Sequence, residues 1–218
     1  MRLIDPIFIV TLIAIGQACA DDKVCLGCHA MMLQFLSKEQ GHPAMTLGCG
    51  TCHVDHAQSS ATNRFGHFLT AAPSELCVTC HAEIKKKEFV HEPVEKDCTL
   101  CHSPHASLKE GLRAQGNALC LECHSDALKA KFETNGPVKL FNGRVTLPPR
   151  SFPNLHLLAL QNDRGHPVSN HPVLRKQDAQ WPALSCIVCH RPHGADKSAS
   201  LLVTETEDFV PLCERCHK

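Results

Sequence analysis

A five-residue pattern, Cys-x-x-Cys-His, occurs seven times along this chain of 218 residues. Every cysteine except Cys19 belongs to one of the copies, and a histidine follows the second cysteine in all of them. This spacing is the attachment motif of c-type haem. Two thiols one turn apart bond covalently to the haem vinyl groups, and the next histidine binds the iron as proximal ligand. The pattern therefore predicts seven covalent haem c groups.

Motif one is the first in the chain and motif seven the last. The cysteines predicted to hold haem are Cys25 and Cys28, Cys49 and Cys52, Cys77 and Cys80, Cys98 and Cys101, Cys120 and Cys123, Cys186 and Cys189, and Cys213 and Cys216. The predicted proximal ligands are His29, His53, His81, His102, His124, His190 and His217. Half a zinc site or a pair of disulfide cysteines would explain one copy. Neither alternative explains why the histidine recurs in every copy.

The first twenty residues have the features of a secretory signal. Arg2 gives a basic start, Ile7–Ile15 is apolar, and Ala18-Cys19-Ala20 has the small-x-small form of a cleavage site. The apolar stretch is shorter than the ~20 residues that a membrane span needs. We expect cleavage behind this site and a periplasmic or extracellular protein. A lipoprotein start at Cys19 and an uncleaved anchor are the alternatives.

Nine of the 16 histidines lie outside the motifs, and six of these flank the even-numbered motifs. One precedes each of motifs two, four and six, and another stands three residues after the proximal histidine. The predicted distal iron ligands are His42, His56, His91, His105, His166, His171 and His193. For the seventh position His67 and His156 are alternatives to His166. The alternation indicates three two-haem units, followed by motif seven alone.

The position of the trailing histidines limits what they bind. A residue three after the proximal histidine lies on the same side of its own haem, so it reaches the iron of a neighbour more easily. We therefore expect His56, His105 and His193 to ligate adjacent haems. For His105 the expected neighbour is the haem on Cys77 and Cys80.

The amino-acid sequence of these units resembles that of the multihaem cytochromes with doubled Cys-x-x-Cys-His motifs. The matching stretches are Glu75–His81, Val90–Val94 and Cys98–His105, and again His171–Val173 and Cys186–Gly194. The resemblance implies haems with two histidine ligands in close stacked or T-shaped pairs, and a role in anaerobic or extracellular electron transfer. Two features depart from it. The first unit ends Val-Asp-His rather than Pro-His, and the gap between motifs five and six is long.

Composition and spacing predict the architecture. Only 5% of residues are aromatic, with no Tyr and one Trp, so side chains alone would make a poor core. We expect haem to replace that core in a mostly irregular chain with short α-helices and little strand. We divide the chain into a signal peptide (1–20), haems one to five (21–134), a loop-rich connection (135–171), and haems six and seven (172–218). A small hairpin is expected around Asn142-Gly143, between Val138–Phe141 and Arg144–Leu147.

The sequence favours an electron carrier or conduit over an enzyme. Histidine on both faces leaves the iron no open position, so such haems exchange electrons without binding substrate. The expected partners are other redox proteins, including multihaem cytochromes or a membrane quinol-oxidising complex. Lys plus Arg and Asp plus Glu both number 22, so no overall charge points to nucleic acid as a partner. A multihaem reductase with one open haem, or a subunit of a polymeric cytochrome wire, are the alternatives.

Overall fold

The computed structural model describes residues 22–36, 41–56, 68–105, 111–125, 128–152, 155, 157–158, 184–204, 206, 208 and 210–217. Most of this chain is irregular, with short helices and two small pairs of strands. The predicted fold class is therefore confirmed.

The α-helices of the described part are all short. They are α1 (Asp22–Cys28), α2 (Leu33–Leu36), α3 (Pro73–Leu76), α4 (Glu92–Lys96), α5 (Asn117–His124), α6 (Lys129–Glu133) and α7 (Val210–Cys213). Helices of at most eight residues are marginal in isolation, because nucleation costs more than so few hydrogen bonds return. Tertiary contacts must therefore hold them.

Single turns of 3-10 helix separate these elements. They lie at Ala30–Met32, Pro43–Leu47, Cys49–Thr51, Cys77–Thr79, Ala82–Lys85, Cys98–Leu100 and Cys186–Val188. Of the seven such turns in the described ranges, four begin at the first cysteine of a motif. Helix α5 contains motif five, α1 ends at Cys28 of motif one, and α7 ends at Cys213 of motif seven. Every motif therefore starts on a short helix or a 3-10 turn.

In the described part of the chain, an apolar core is built around a β-hairpin. Strands β2 (Val138–Leu140) and β3 (Val145–Leu147) pair antiparallel, with Leu140 opposite Val145. The first and third side chains of each strand are buried, and they pack with Phe141 and Phe152 in one cluster. Leu100 and Cys123, from motifs four and five, pack against this cluster, so the hairpin supports two haem-attachment segments.

The hairpin forms where the sequence places it, but its loop is longer than the Asn-Gly pair. Residues 141–144 form the turn, and Phe141 and Asn142 have φ of 51° and 56°. Phe141 leaves the strand because its side chain turns into the core and its N–H donates to a carboxylate oxygen of Glu122. The left-handed backbone that Phe141 adopts is uncommon for a side chain this large.

A second strand pair joins distant parts of the chain. Strand β1 (Phe89–Val90) runs antiparallel to β4 (Gly194–Ala195), with Phe89 opposite Ala195 and Val90 opposite Gly194. The pair is only two residues long, yet it connects the segment before motif four to the segment after motif six.

The even-numbered motifs share a third element. The proximal histidine of each forms an isolated antiparallel bridge to a leucine downstream: His53 to Leu69, His102 to Leu112, and His190 to Leu202. The residue before each leucine, which is Phe68, Gly111 or Leu201, has a positive φ of 53° to 74°. The same bridge and positive-φ residue therefore recur once in each of the three two-haem units.

None of the helices in the described ranges is long and apolar enough to cross a membrane.

Candidate haem sites

Each motif folds into one turn that orients its ligands. In motif one the N–H of His29 donates to the carbonyl oxygen of Cys25 at 2.9 Å, and equivalent bonds of 2.9–3.0 Å close motifs two, three, four, six and seven. In motif five the equivalent residues lie within α5. Residues three apart on a helical turn share a face, so the two cysteines of a motif stand together, which suits a macrocycle attached by two thiols. None of the 14 motif cysteines is paired in a disulfide, so each can form a thioether.

Five histidines outside the motifs face a proximal histidine. The five pairs are His56 with His29, His105 with His53, His42 with His81, His193 with His102, and His91 with His124. Their ring centroids lie 5.7–6.1 Å apart. Two metal–nitrogen bonds of about 2 Å each would separate two imidazole centroids by roughly 6 Å. The residues of these five sites thus fit a haem iron held between two histidines.

The pairing corrects the expected neighbour of His105. Its ring stacks on that of His53 at 5.7 Å and 21°, whereas His81 of motif three faces His42. The prediction that His105 belongs with the haem on Cys77 and Cys80 was therefore wrong. His42, which directly precedes the turn Pro43–Leu47, occupies the position that faces His81.

The pairs also cross between the two-haem units. His42 of the first unit faces a proximal histidine of the second, and His105 of the second faces one of the first. Between the second and third units His91 and His193 make the same exchange, facing His124 and His102. We call this arrangement the reciprocal exchange. Each exchange would tie neighbouring units through two haems at once.

Strands β1 and β4 hold one reciprocal exchange in place. The N–H of His91 donates to the carbonyl oxygen of His193 at 3.1 Å, and His91 Nδ1 lies 2.9 Å from the carbonyl oxygen of Pro192. Lys87 and Asp196 close the pair with a 2.7 Å ion pair. A Nδ1–H that bonds a carbonyl fixes the tautomer and leaves Nε2 for a metal. We call residues 87–91 and 192–196 the histidine clamp.

Burial keeps the clamp histidines in the form that iron needs. Desolvation lowers the pKa of His91, and nearby His124 lowers it further against the opposing effect of the Pro192 carbonyl. Desolvation, followed by His81, also lowers the pKa of His193. Only neutral imidazole has a lone pair for the metal, so both shifts favour ligation.

Motif six has a similar tautomer-fixing bond on the proximal side. His190 Nδ1 lies 2.9 Å from the carbonyl oxygen of Ser200, which belongs to the same segment as the bridging Leu202. The bond again leaves Nε2 available for iron.

Two polar residues that the sequence reasoning did not single out connect motifs. Asp22 accepts the N–H of Cys49 at 2.8 Å, and Asn117 accepts the N–H of Cys186 at 2.8 Å while its amide donates to Leu184. Both stand three residues before the first cysteine of an odd motif. Ser74, at the same position before motif three, is buried. That shared offset was the signal that could have identified them.

Four predicted or alternative distal ligands, His67, His156, His166 and His171, lie outside the described residues. The five pairs account for the proximal histidines of motifs one to five, so the second ligands of motifs six and seven would come from histidines such as these. Their assignment stays a prediction, as does the division of the chain into haem-bearing segments.

Comparison with known proteins agrees with the doubled pattern. The family model of the doubled CXXCH motif matches three stretches, residues 42–86, 91–129 and 171–218. Together these stretches include six of the motifs in full, from motif two to motif seven. No curated protein matches the chain.

Proposed function

Because this chain belongs to the doubled CXXCH motif family and is a multihaem c-type cytochrome, we propose that it transfers electrons through seven covalent haems with two histidine ligands each. The observation that carries the proposal is the set of five histidine pairs. Each joins a motif histidine to one outside the motifs at the separation that suits an iron between them.

Ligation by two histidines suits electron exchange. With both axial positions filled, iron has no site for substrate, and histidine lowers the potential relative to a histidine–methionine pair. The cytochrome therefore works as a carrier or conduit and not as an enzyme. Its proposed partners are other redox proteins, including multihaem cytochromes or a membrane quinol-oxidising complex.

The proposed location is the periplasm or the cell exterior. The support is the basic start, the apolar stretch and the small-x-small site within residues 1–20. Anaerobic respiration or extracellular electron transfer is the process in which such a carrier fits.

The number of haems is tested by mass. The seven complete motifs lead us to expect that the denatured, fully matured protein exceeds its mature chain by seven haem masses. Thioether bonds survive denaturation, so intact mass spectrometry counts them directly. A stable product with six haems or fewer would contradict the proposed count.

The absence of an open iron is tested by spectroscopy on the same material. We expect magnetic circular dichroism to show low-spin haem without a high-spin band or a methionine–iron band, because histidines supply both ligands. The reduced protein should not bind carbon monoxide rapidly. Rapid binding to one haem would favour the multihaem reductase. A change of the spectrum with protein concentration would favour the polymeric wire, in which one chain donates a histidine to the next.

A further inference from the structure

A cleft of about 500 Å³ lies between motif four and the β-hairpin. One wall comes from Arg113 and the residues around the turn Cys98–Leu100. The other wall comes from strand β3 and the loop after it, in the long gap between motifs five and six. Small-molecule sites in proteins usually enclose ~300–1,000 Å³, so the cleft is large enough for a small organic molecule.

Hydrogen bonds hold both walls of the cleft in place. Arg113 donates from its backbone N–H to the carbonyl oxygen of Cys101 at 2.8 Å and from its Nε to that of Thr99. Lys96 donates to the carbonyl oxygen of Ser151 on the opposite wall, and its Nζ lies 4.3 Å from the centroid of the Phe152 ring. These bonds join the two walls, so the cleft exists without a ligand.

Two arginines make the cleft positively charged. Arg113 and Arg144 both line it, and neither forms an ion pair within the described residues. Lys96 is balanced by Glu92 at 2.6 Å, and the carboxylate of Asp97 accepts a backbone N–H. Burial lowers the pKa of Arg113, Asp97 opposes this effect, and Arg144 lowers the pKa further. An anion between the two guanidiniums would relieve their repulsion.

The propionates of the motif-four haem are not suited to supply this anion. Side chains three apart on a 3-10 turn eclipse one another, so Cys98 and Cys101 share one face and Thr99 and Leu100 lie on others. Thioether bonds hold the vinyl edge of the macrocycle at the two cysteines, and the propionates leave the opposite edge. The haem would therefore direct its propionates away from the cleft, which leaves the arginines open to an anion from solution.

We propose that the cleft binds a small anion through a phosphate or carboxylate group held between Arg113 and Arg144. A guanidinium is planar and presents donors that match the oxygens of both groups. The hydroxyl groups of Thr99 and Thr146 line the same cleft and can donate to further oxygens. A bound negative charge favours ferric iron, so it should lower the potential of the motif-four haem, whose attachment turn forms one wall.

Binding is tested by calorimetry on the holoprotein with two probes, inorganic phosphate and phenyl phosphate, in a buffer without other oxyanions. We expect one site per chain. Arg144 is exposed, and Arg144→Gln should weaken binding by about tenfold to a hundredfold, because hydrogen bonds to a charged group are lost. Lys139→Gln is the matched control. It removes one positive charge from an exposed position of the same hairpin that does not line the cleft, so it should bind both probes like the wild type.

Tighter binding of phenyl phosphate would identify an organic anion as the ligand, and equal affinities would identify the inorganic ion. If neither probe binds, or if Arg144→Gln and Lys139→Gln weaken binding equally, the site is overturned. A haem propionate between Arg113 and Arg144 in a crystal structure of the holoprotein would overturn it as well.

The effect on the haem is measured by a spectroelectrochemical titration of the same proteins. Phenyl phosphate at a concentration that saturates the wild type should lower one haem potential, and the shift should be lost in Arg144→Gln. Unchanged potentials with the cleft filled would overturn the link to motif four. Calorimetry does not depend on electron transfer, so failure of the anion site and failure of the proposed function are distinguishable.

Discussion

Replacing His105 by alanine is expected to leave one iron five-coordinate, and that iron is the one on Cys49 and Cys52. The His105 ring stacks on the ring of His53 at 5.7 Å, so its loss removes the distal ligand of motif two. One high-spin haem per chain should appear in magnetic circular dichroism. The potential of that haem should rise, because a ligand that favours ferric iron is gone.

His42→Ala is the matched control. It removes the partner of His81 in motif three and should also create one high-spin haem, but a different one. Crystal structures of the carbon monoxide complexes then show which iron has opened in each variant. If carbon monoxide binds the motif-three iron in His105→Ala, His105 ligates the haem on Cys77 and Cys80, as first expected from the sequence. If the variant shows no high-spin haem and binds no carbon monoxide, His105 is a surface residue.

Gly194→Ala is expected to disturb two haems through one methyl group. A Cβ at this position would stand 2.7 Å from the carbonyl oxygen of Phe89 and 2.9 Å from the Cβ of Lys87. Strands β1 and β4 would have to separate, and a forced packing change of this kind costs about 1–3 kcal/mol. Because the histidine clamp carries both His91 and His193, the haems of motifs four and five should together gain high-spin character.

Gly136→Ala is the control for this substitution. A Cβ there meets nothing within 4 Å, so the free energy of unfolding should change by no more than about 0.5 kcal/mol. Urea unfolding of the holoproteins, followed through the haem spectrum, compares the two variants. If Gly194→Ala unfolds like Gly136→Ala with both haems low-spin, the clamp does not position these ligands.

The sequence predicted what depends on short-range spacing. The turn that presents Cys49, Cys52 and His53 is encoded within five residues, and the mostly irregular fold follows from the low aromatic content and the density of motifs. The Asn142-Gly143 hairpin was also predicted, although Phe141 joins its loop because burial and a hydrogen bond to Glu122 outweigh an uncommon φ.

The pairing of distant histidines depends on the path of the chain between motifs, which local spacing does not contain. Local reasoning correctly kept His105 from its own haem, but proximity along the sequence favoured motif three. The reciprocal exchange places His105 on motif two, because His42 occupies the position facing His81. The clamp was likewise hidden, since its two strands are two residues long and lie a hundred residues apart in the chain.

The reciprocal exchange implies an order in which the haems would gain their second histidine ligands during maturation. In the proposed export from the N-terminus, His53 would emerge well before His105, and His102 well before His193, since each partner lies beyond later motifs. The haem of motif two would then gain its second ligand only after the second unit has emerged, and that of motif four only after the third. Until then these irons would bind small ligands and react with oxidants. A chain stalled before that point would be recognisable by its high-spin haems.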